Sequence, residues 1–167
     1  MATFFTADSH AWHENIIKYC NRPFKNATEM TMTIVDNINK VVKPNDILWH
    51  LGDFAFGRNK DILKFRNMIN CNDIRLILGN HDREIRKNLS KYKYTFTNIV
   101  PFGIDIVVEK QPITLCHYAL RTWNKSHYDA WHLYGHSHGT LGSMGQFDMD
   151  VGVDAHNYKP ISFEGLQ

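Results

Sequence analysis

Ile74-Arg75-Leu76-Ile77-Leu78-Gly79-Asn80-His81 is a nearly continuous apolar run that stops at a glycine and then presents an amide and an imidazole. It reads as a buried strand that delivers polar groups at its C-terminal end. Ile47 to Leu51 followed by Gly52-Asp53 repeats the pattern, and Thr3 to Ala7 followed by Asp8 opens the chain with it. Between these runs, His13 to Tyr19 and Ala27 to Val42 read as helices separated by the Arg22-Pro23 break. Ile34, Val35, Ile38, Val41 and Val42 fall near helical spacing. Pro44-Asn45 marks a turn, and Asp61 to Ile69 reads as a further helix. The first half is therefore predicted as β-α-β-α-β.

A short helix near Arg83 to Leu89 is followed by a change of character. Phe96 to Val100, Ile104 to Glu109 and Ile113 to His117 read as strands, joined by hairpin-like turns at Pro101-Phe102-Gly103 and Lys110-Gln111-Pro112. Trp131 to Gly135 and Phe147 to Val153 read as two more, framing a glycine-rich connection, and Pro160 to Phe163 closes the chain. With 167 residues and 43% hydrophobic content, one domain over residues 1–167 is expected. A formal charge of +2 is too small an excess to demand a polyanionic partner. Cys20, Cys71 and Cys116 form no CxxC and read as buried thiols of a reducing compartment. Met1 to Asp8 lacks a signal-like pattern, and no stretch approaches a membrane span, so a soluble cytoplasmic protein is expected.

The strand ends carry the chemistry: Asp8 and His10, Asp53, Asn80 and His81, His117, then His136 and His138. The carboxyl ends of strands in open α/β sheets line the ligand crevice, so these residues are expected to meet although they are far apart in sequence. Carboxylate, imidazole and amide oxygen are ligand types for borderline first-row metals. Taken singly, Asp8 also reads as a helix N-cap, and Asp53 and Asn80 also read as turn residues. His136 and His138, bracketed by Gly135 and Gly139, place two imidazoles on one side of a strand end. Taken together, the bland readings require a coincidence at every strand terminus.

Asp8-Ser9-His10, Gly52-Asp53, Gly79-Asn80-His81-Asp82, Cys116-His117 and Gly135-His136-Ser137-His138 resemble, in this order and over nearly the whole chain, the signature of the calcineurin-like metallophosphoesterase superfamily. His13-Glu14-Asn15-Ile16-Ile17 is similar to the N-terminal pattern of its small, cap-free bacterial and phage phosphoesterases. The resemblance implies an α/β fold, a four-layer α/β/β/α sandwich with the metal site at the strand C-terminal ends. It also implies two divalent transition-metal ions, manganese first, with iron, zinc or nickel as alternatives. Asp8, His10 and His138 would hold one ion and Asn80, His117 and His136 the other, with Asp53 bridging both. Two such cations clamp phosphate oxygens and acidify a shared water for in-line attack. His81 resembles the residue that meets the leaving-group oxygen, so His81 and Asp53 are the expected catalytic residues.

Phe54-Ala55-Phe56-Gly57 follows Asp53 where protein Ser/Thr phosphatases carry Asp and Arg, so protein phosphatase activity is not expected and His81 lacks its usual carboxylate partner. For the substrate, the segment Tyr118 to His132 leaves directly from His117. Arg121 and His127 are read as phosphate contacts and Trp123 as a base-stacking face, against the alternative of an ordered surface loop whose aromatics pack on the core. His13 and Arg22-Pro23 resemble family positions near the site entrance. The basic stretch from Arg58 to Lys93 reads as a solvated helix face, with Arg83, Arg86 and Lys87 able to attract an extended anion. The expected function is hydrolysis of a small nucleotide-like or cyclic phosphodiester, with phosphomonoesters as further substrates. A nuclease and a catalytically weak scaffold on the same fold are the rivals.

Overall fold

The computed structural model describes residues 1–142 and 145–166. In chain order the strands are β1 (Thr3–Thr6), β2 (Ile47–His50), β3 (Asp73–Ile77), β4 (Asn98–Val100), β5 (Gly103–Val108), β6 (Gln111–Cys116), β7 (Trp131–Tyr134), β8 (Asp148–Asp150) and β9 (Ile161–Ser162). The helices are α1 (Glu14–Tyr19), α2 (Ala27–Val41), α3 (Asn59–Met68), α4 (Arg83–Lys87) and α5 (Leu89–Tyr92). They build a mixed α/β structure of two sheets. The first has the order β4-β3-β2-β1-β9 and the second β5-β6-β7-β8.

Within the first sheet β1 to β4 run parallel and β9 pairs antiparallel to β1. Alternation along these strands sorts their side chains onto two cores. Phe4, Leu48 and Ile74 stand in register across β1, β2 and β3 and join a cluster with Met30, Ile34 and Ile38 of α2 and Ile62 and Phe65 of α3. One residue further on, Phe5 and Trp49 enter the second cluster, where they meet Leu115 of β6 and Leu133 of β7. The central strands are thus covered on both faces, which is why they read as continuous apolar runs. Each fully buried large apolar side chain contributes roughly 1.5–3 kcal/mol.

Local signals set the boundaries. Asn26 caps α2 by accepting from the Glu29 backbone N–H at 2.9 Å, and α2 ends just before Lys43-Pro44, where the proline disfavours helical geometry at the residue before it. β5 and β6 form an antiparallel hairpin with positive φ at Glu109 (49°) and Lys110 (75°), the handedness a two-residue loop needs.

Three expectations change. Pro101-Phe102-Gly103 is no hairpin turn but the passage from β4 in the first sheet to β5 in the second. The strand expected over Phe147 to Val153 is regular only over β8, because Gly152 leaves to bridge Ala7 of the first sheet and Val153–Ala155 curls into a 3₁₀ turn. The glycine-rich connection before it is described only in part, since residues 143 and 144 lie outside the described residues. The helical layer expected outside the second sheet is not found among the described residues. All five α-helices feed the cluster on the first sheet, and the segments between β6 and β8 contribute only the 3₁₀ turn Ser126–Tyr128.

Candidate metal centre

The C-terminal ends of β1, β2, β3, β6 and β7 come together, knitted first by backbone. Asp8 N–H donates to the Gly52 carbonyl at 3.0 Å, His10 N–H to the Asp53 carbonyl at 2.9 Å, and Gly135 N–H to the His117 carbonyl at 3.0 Å. Carboxylates add cross-links: Asp8 Oδ2 accepts from His136 N–H and Asp53 Oδ1 from His81 N–H, both at 2.8 Å. Five of the residues brought together have left-handed backbones, with φ of 57° at Asp8, 45° at His10, 54° at Asp53, 67° at His136 and 49° at His138. A non-glycine residue held there costs on the order of 1 kcal/mol, and such residues cluster at functional sites. Gly79 has to be glycine for a different reason: a Cβ there would collide with Asp53 Oδ1 and lie 2.5 Å from the Asp53 nitrogen.

Two ligand-capable groups result. Asp8, His10 and His138 form one, and Asp53, His117 and His136 the other, the candidate atoms of each lying within 4.8 Å of one another. Asp53 stands between them, its Oδ2 3.3 Å from His10 Nε2 and 3.5 Å from His117 Nε2. Asn80 joins the second group, with Oδ1 3.0 Å from His117 Nε2.

Hydrogen-bond bookkeeping fits a cation. His117 Nδ1 lies 2.7 Å from the Leu51 carbonyl, an acceptor only, so Nδ1 carries the proton and Nε2 turns a lone pair toward Asn80 Oδ1 and Asp53 Oδ2. His138 Nδ1 likewise faces Asp154 Oδ2 at 2.7 Å, leaving its Nε2 for the first group. Asp8 Oδ1 and His10 Nε2 are buried without a hydrogen bond. Burial lowers His10 to about 4 and also lowers His117, so both imidazoles are neutral near pH 7. Burial, followed by the charges of Asp53 and Asp150, raises Asp8 well above the usual carboxylate range. At Asp53 burial pushes upward, but the close imidazoles of His10, 3.3 Å away, and of His117 hold the carboxyl well below that range. Crowded acceptors of this kind are what a bound divalent cation would satisfy.

Behind this lining stand residues whose part the sequence reading left unassigned. Asp82 accepts from the backbone N–H groups of Asp53 (2.8 Å), Phe54 (2.9 Å) and Gly79 (2.8 Å), pinning the β2 and β3 loops together. Burial and the Asp53 charge raise it to about 7, against those three bonds. Asp154 pairs with buried Arg22 through Nε (2.8 Å) and Nη2 (2.7 Å) while holding His138, and Arg22 also donates to the Asp8 carbonyl at 2.7 Å. A further cluster of Cys20, His138 and Asp154 is geometrically possible. There burial pushes the Cys20 thiol up to about 11, and Asp154 is already engaged by Arg22. Tyr118 packs its ring on His117 and His136, with centroids 4.9 and 4.8 Å apart. Next to Asp53, Phe54 is fully buried against Phe65, Phe96 and His50, so the core itself anchors the loop.

The remaining candidates divide. His81 is exposed at the rim, its ring 5.2 Å from that of His10, and His13 stacks flat on Phe56 at 4.3 Å with its Nδ1 3.5 Å from His10 Nδ1. Arg121, Trp123 and His127 are not brought to the cluster among the described residues. Trp123 donates to the Ala130 carbonyl at 2.8 Å and lies against His132. Asn124 beside it bonds Asp105 on the outer face of the second sheet. Arg121 is exposed, and exposed His127 contacts the neighbouring Tyr128 ring. Their loop covers the outside of the second sheet, because His132 alternates with the inward-facing Leu133 and draws Trp123 with it. Two clefts flank the centre. One of about 480 Å³ borders His81 and Phe56, and one of about 720 Å³ borders His136 and His138.

No protein-family model matches the sequence. The uncharacterized protein MJ1445 of Methanocaldococcus jannaschii is 33% identical over 96% of this chain and 86% of its own length. Among solved structures, the protein of unknown function AQ665 from Aquifex aeolicus superposes with a TM-score of 0.78 at 27% identity, covering 98% of this chain and 96% of that one. A structure described as a novel archaeal phosphodiesterase superposes with a TM-score of 0.50 at 17% identity, covering 91% and 82%. That last likeness is one of fold. Among the described residues no helix is long and apolar enough to cross a membrane.

Proposed function

The chain belongs to the family of the MJ1445 protein of Methanocaldococcus jannaschii, and from that premise we propose that it is a metal-dependent phosphodiesterase of the calcineurin-like metallophosphoesterase kind, a single cytoplasmic domain over residues 1–167. Asp8, His10 and His138 would hold one divalent ion and Asn80, His117 and His136 a second, with Asp53 shared. Manganese fits this mixed N and O donor set, with iron, zinc or nickel as alternatives. The observation that carries the reading is the set of lone pairs around His117 Nε2: Asn80 Oδ1 lies 3.0 Å and Asp53 Oδ2 3.5 Å from it, with the His117 proton held by Leu51. The archaeal phosphodiesterase of similar fold supports the same reaction class.

When bound, such ions supply Lewis acidity toward phosphate oxygens and an acidified water. The protein supplies the rest. Asp53, held ionised, provides negative charge that retains cations, and buried neutral imidazoles keep the site free of competing protons. His81, exposed and with its main chain bonded to Asp53, would give a proton from its ring nitrogen to a departing ester oxygen. A small nucleotide-like diester is the substrate class.

The test is turnover on phosphomonoesters, cyclic nucleotides, dinucleotides and single-stranded DNA, each with Mn, Ni, Zn and Mg. Hydrolysis of small diesters, better with Mn than with Mg and abolished by chelator, is the expected result. Absence of turnover with every metal, together with no retained metal by elemental analysis, overturns it.

A further inference from the structure

We propose that the cleft of about 480 Å³ beside His81 seats the leaving half of the substrate, and that this half is a nucleotide carrying a phosphate of its own. The inference rests on the phosphodiesterase reading above. Phe56, Ile62, His81, Arg83, Glu84 and Lys87 contribute to its walls. His81 belongs both to this cleft and to the rim of the centre, so the cleft begins where the ester oxygen would depart.

Three observations set the chemistry of its occupant. Phe56 is 47% exposed yet held in place, its N–H bonded to the Ala11 carbonyl at 2.8 Å and its ring stacked within 10° of parallel on His13. A fixed, half-open aromatic ring is a platform for a base. Arg83 and Lys87 lie one helical turn apart on α4, both exposed, and their side chains make no hydrogen bond to the chain among the described residues. The carboxylates on the same walls are turned to other partners: Asp82 is bonded to three backbone N–H groups, and Glu84 accepts from the Asn88 side chain at 3.1 Å, so neither pairs with Arg83 or Lys87. On the opposite side of the centre, the cleft of about 720 Å³ at His136 and His138 has Tyr19, Asn21 and Leu141 on its walls and, among the described residues, neither lysine nor arginine. This asymmetry gives a diester a direction, its more anionic half toward Arg83 and Lys87. Hydrolysis forms a P–O bond from water and breaks the P–O bond to the leaving oxygen. That oxygen takes a proton from His81, the water's proton passes to solvent, and a nucleoside phosphate is left in the cleft.

The test compares kcat/KM of the manganese-loaded full chain on dithymidylate with none, a 5′ or a 3′ terminal phosphate, and on bis(p-nitrophenyl) phosphate. One phosphorylated dinucleotide should exceed the unphosphorylated one by about tenfold, as charge-assisted phosphate contacts provide. Arg83→Ala combined with Lys87→Ala should remove that advantage and leave the aryl diester within about twofold, the ordinary range for surface changes. A second readout needs no turnover. In zinc-loaded protein, thymidine 5′-monophosphate should shift the amide signals of Phe56, Gly57 and Lys87 more than thymidine does. Equal rates on all three dinucleotides, or a preference surviving the double variant, overturns the proposal and leaves the phosphodiesterase reading intact. If no diester is hydrolysed with any metal, that reading falls, and absence of nucleotide shifts in the cleft then overturns this proposal as well.

Discussion

The strand ends that meet at Asp53 and the loop from Tyr118 to Ala130 are both rich in histidine and aromatic residues, yet they are held in opposite ways. Around Asp53 the backbone is cross-linked, by Gly52, Asp53 and His117 carbonyls and by the Asp8 and Asp82 carboxylates, and side-chain atoms of Asp8 and His10 are left without partners. In the loop Trp123 and Asn124 are consumed by packing and hydrogen bonds, Trp123 by Ala130 and His132 and Asn124 by Asp105. Reactive groups are found where the main chain is satisfied, even at positive φ, and the side chains are not. Where packing uses the side chain, an aromatic residue is only part of the wall.

The sharpest way to break this contrast is Asp53→Asn. It keeps the shape of the junction but removes the charge shared between the two groups, so turnover should fall to background and at least one metal should be lost by elemental analysis. Wild-type-like turnover with full metal content would mean that the lone pairs at Asp53 have another purpose. His81→Ala comes next. Loss of a general acid costs about 100- to 10,000-fold for poor leaving groups and far less for p-nitrophenolate, which needs little protonation. Equal losses across leaving groups would make His81 a positioning residue. Asp82, although near, bonds three backbone N–H groups and gives His81 no carboxylate partner, which favours an effect at the lower end of that range.

A milder test concerns Asp154→Asn. His138 would keep an acceptor at Nδ1 but lose the charge that orients it and raises its basicity, and such changes typically cost about 10- to 100-fold in metal affinity or activity. The signature is rescue: excess metal should restore much of kcat. Buried Arg22 also loses its ionic partner, so the melting temperature should drop. A fall in stability without any change in metal affinity would assign Asp154 to the fold alone.

How far the sequence foretells this site follows from the same physics. Strands covered on both faces leave continuous apolar runs, and the abrupt stops at Asp8, Gly52-Asp53 and Gly79-Asn80 mark where they emerge, so the parallel half and its strand-end residues are legible. Asp154 and Asp82 are not, because their partners are set by tertiary structure: Arg22 lies 132 residues from Asp154, and Asp82 binds backbone N–H groups that carry no residue signature. The outer helical layer was suggested by resemblance, whereas the segment between β6 and β7 holds Lys125 and Asp129 at left-handed φ (59° and 57°) around a single 3₁₀ turn, which does not propagate a helix. Trp123 could not be assigned to a face from composition. That depended on His132 standing outside the second sheet, one residue before inward-facing Leu133.

The smallest expected effect comes from Arg121→Ala, and it is the most discriminating between the two regions. Proximity in sequence to His117 makes Arg121 look like a phosphate contact, but it is exposed and makes no hydrogen bond among the described residues, on a loop committed to the far face of the second sheet. Removing an unpartnered surface cation should stay within about 0.5 kcal/mol, little more than twofold in kcat/KM for a nucleotide diester. Tyr118, only three residues earlier, packs on both His117 and His136, so Tyr118→Ala should cost more, about tenfold, by loosening two imidazoles at once. Measuring both variants on a nucleotide diester and on bis(p-nitrophenyl) phosphate separates the cases. A loss at Arg121 that exceeds the loss at Tyr118 and appears only with the nucleotide would show that the loop swings over the centre when substrate binds, and the contrast between a committed strand-end cluster and an uninvolved loop would have to be abandoned.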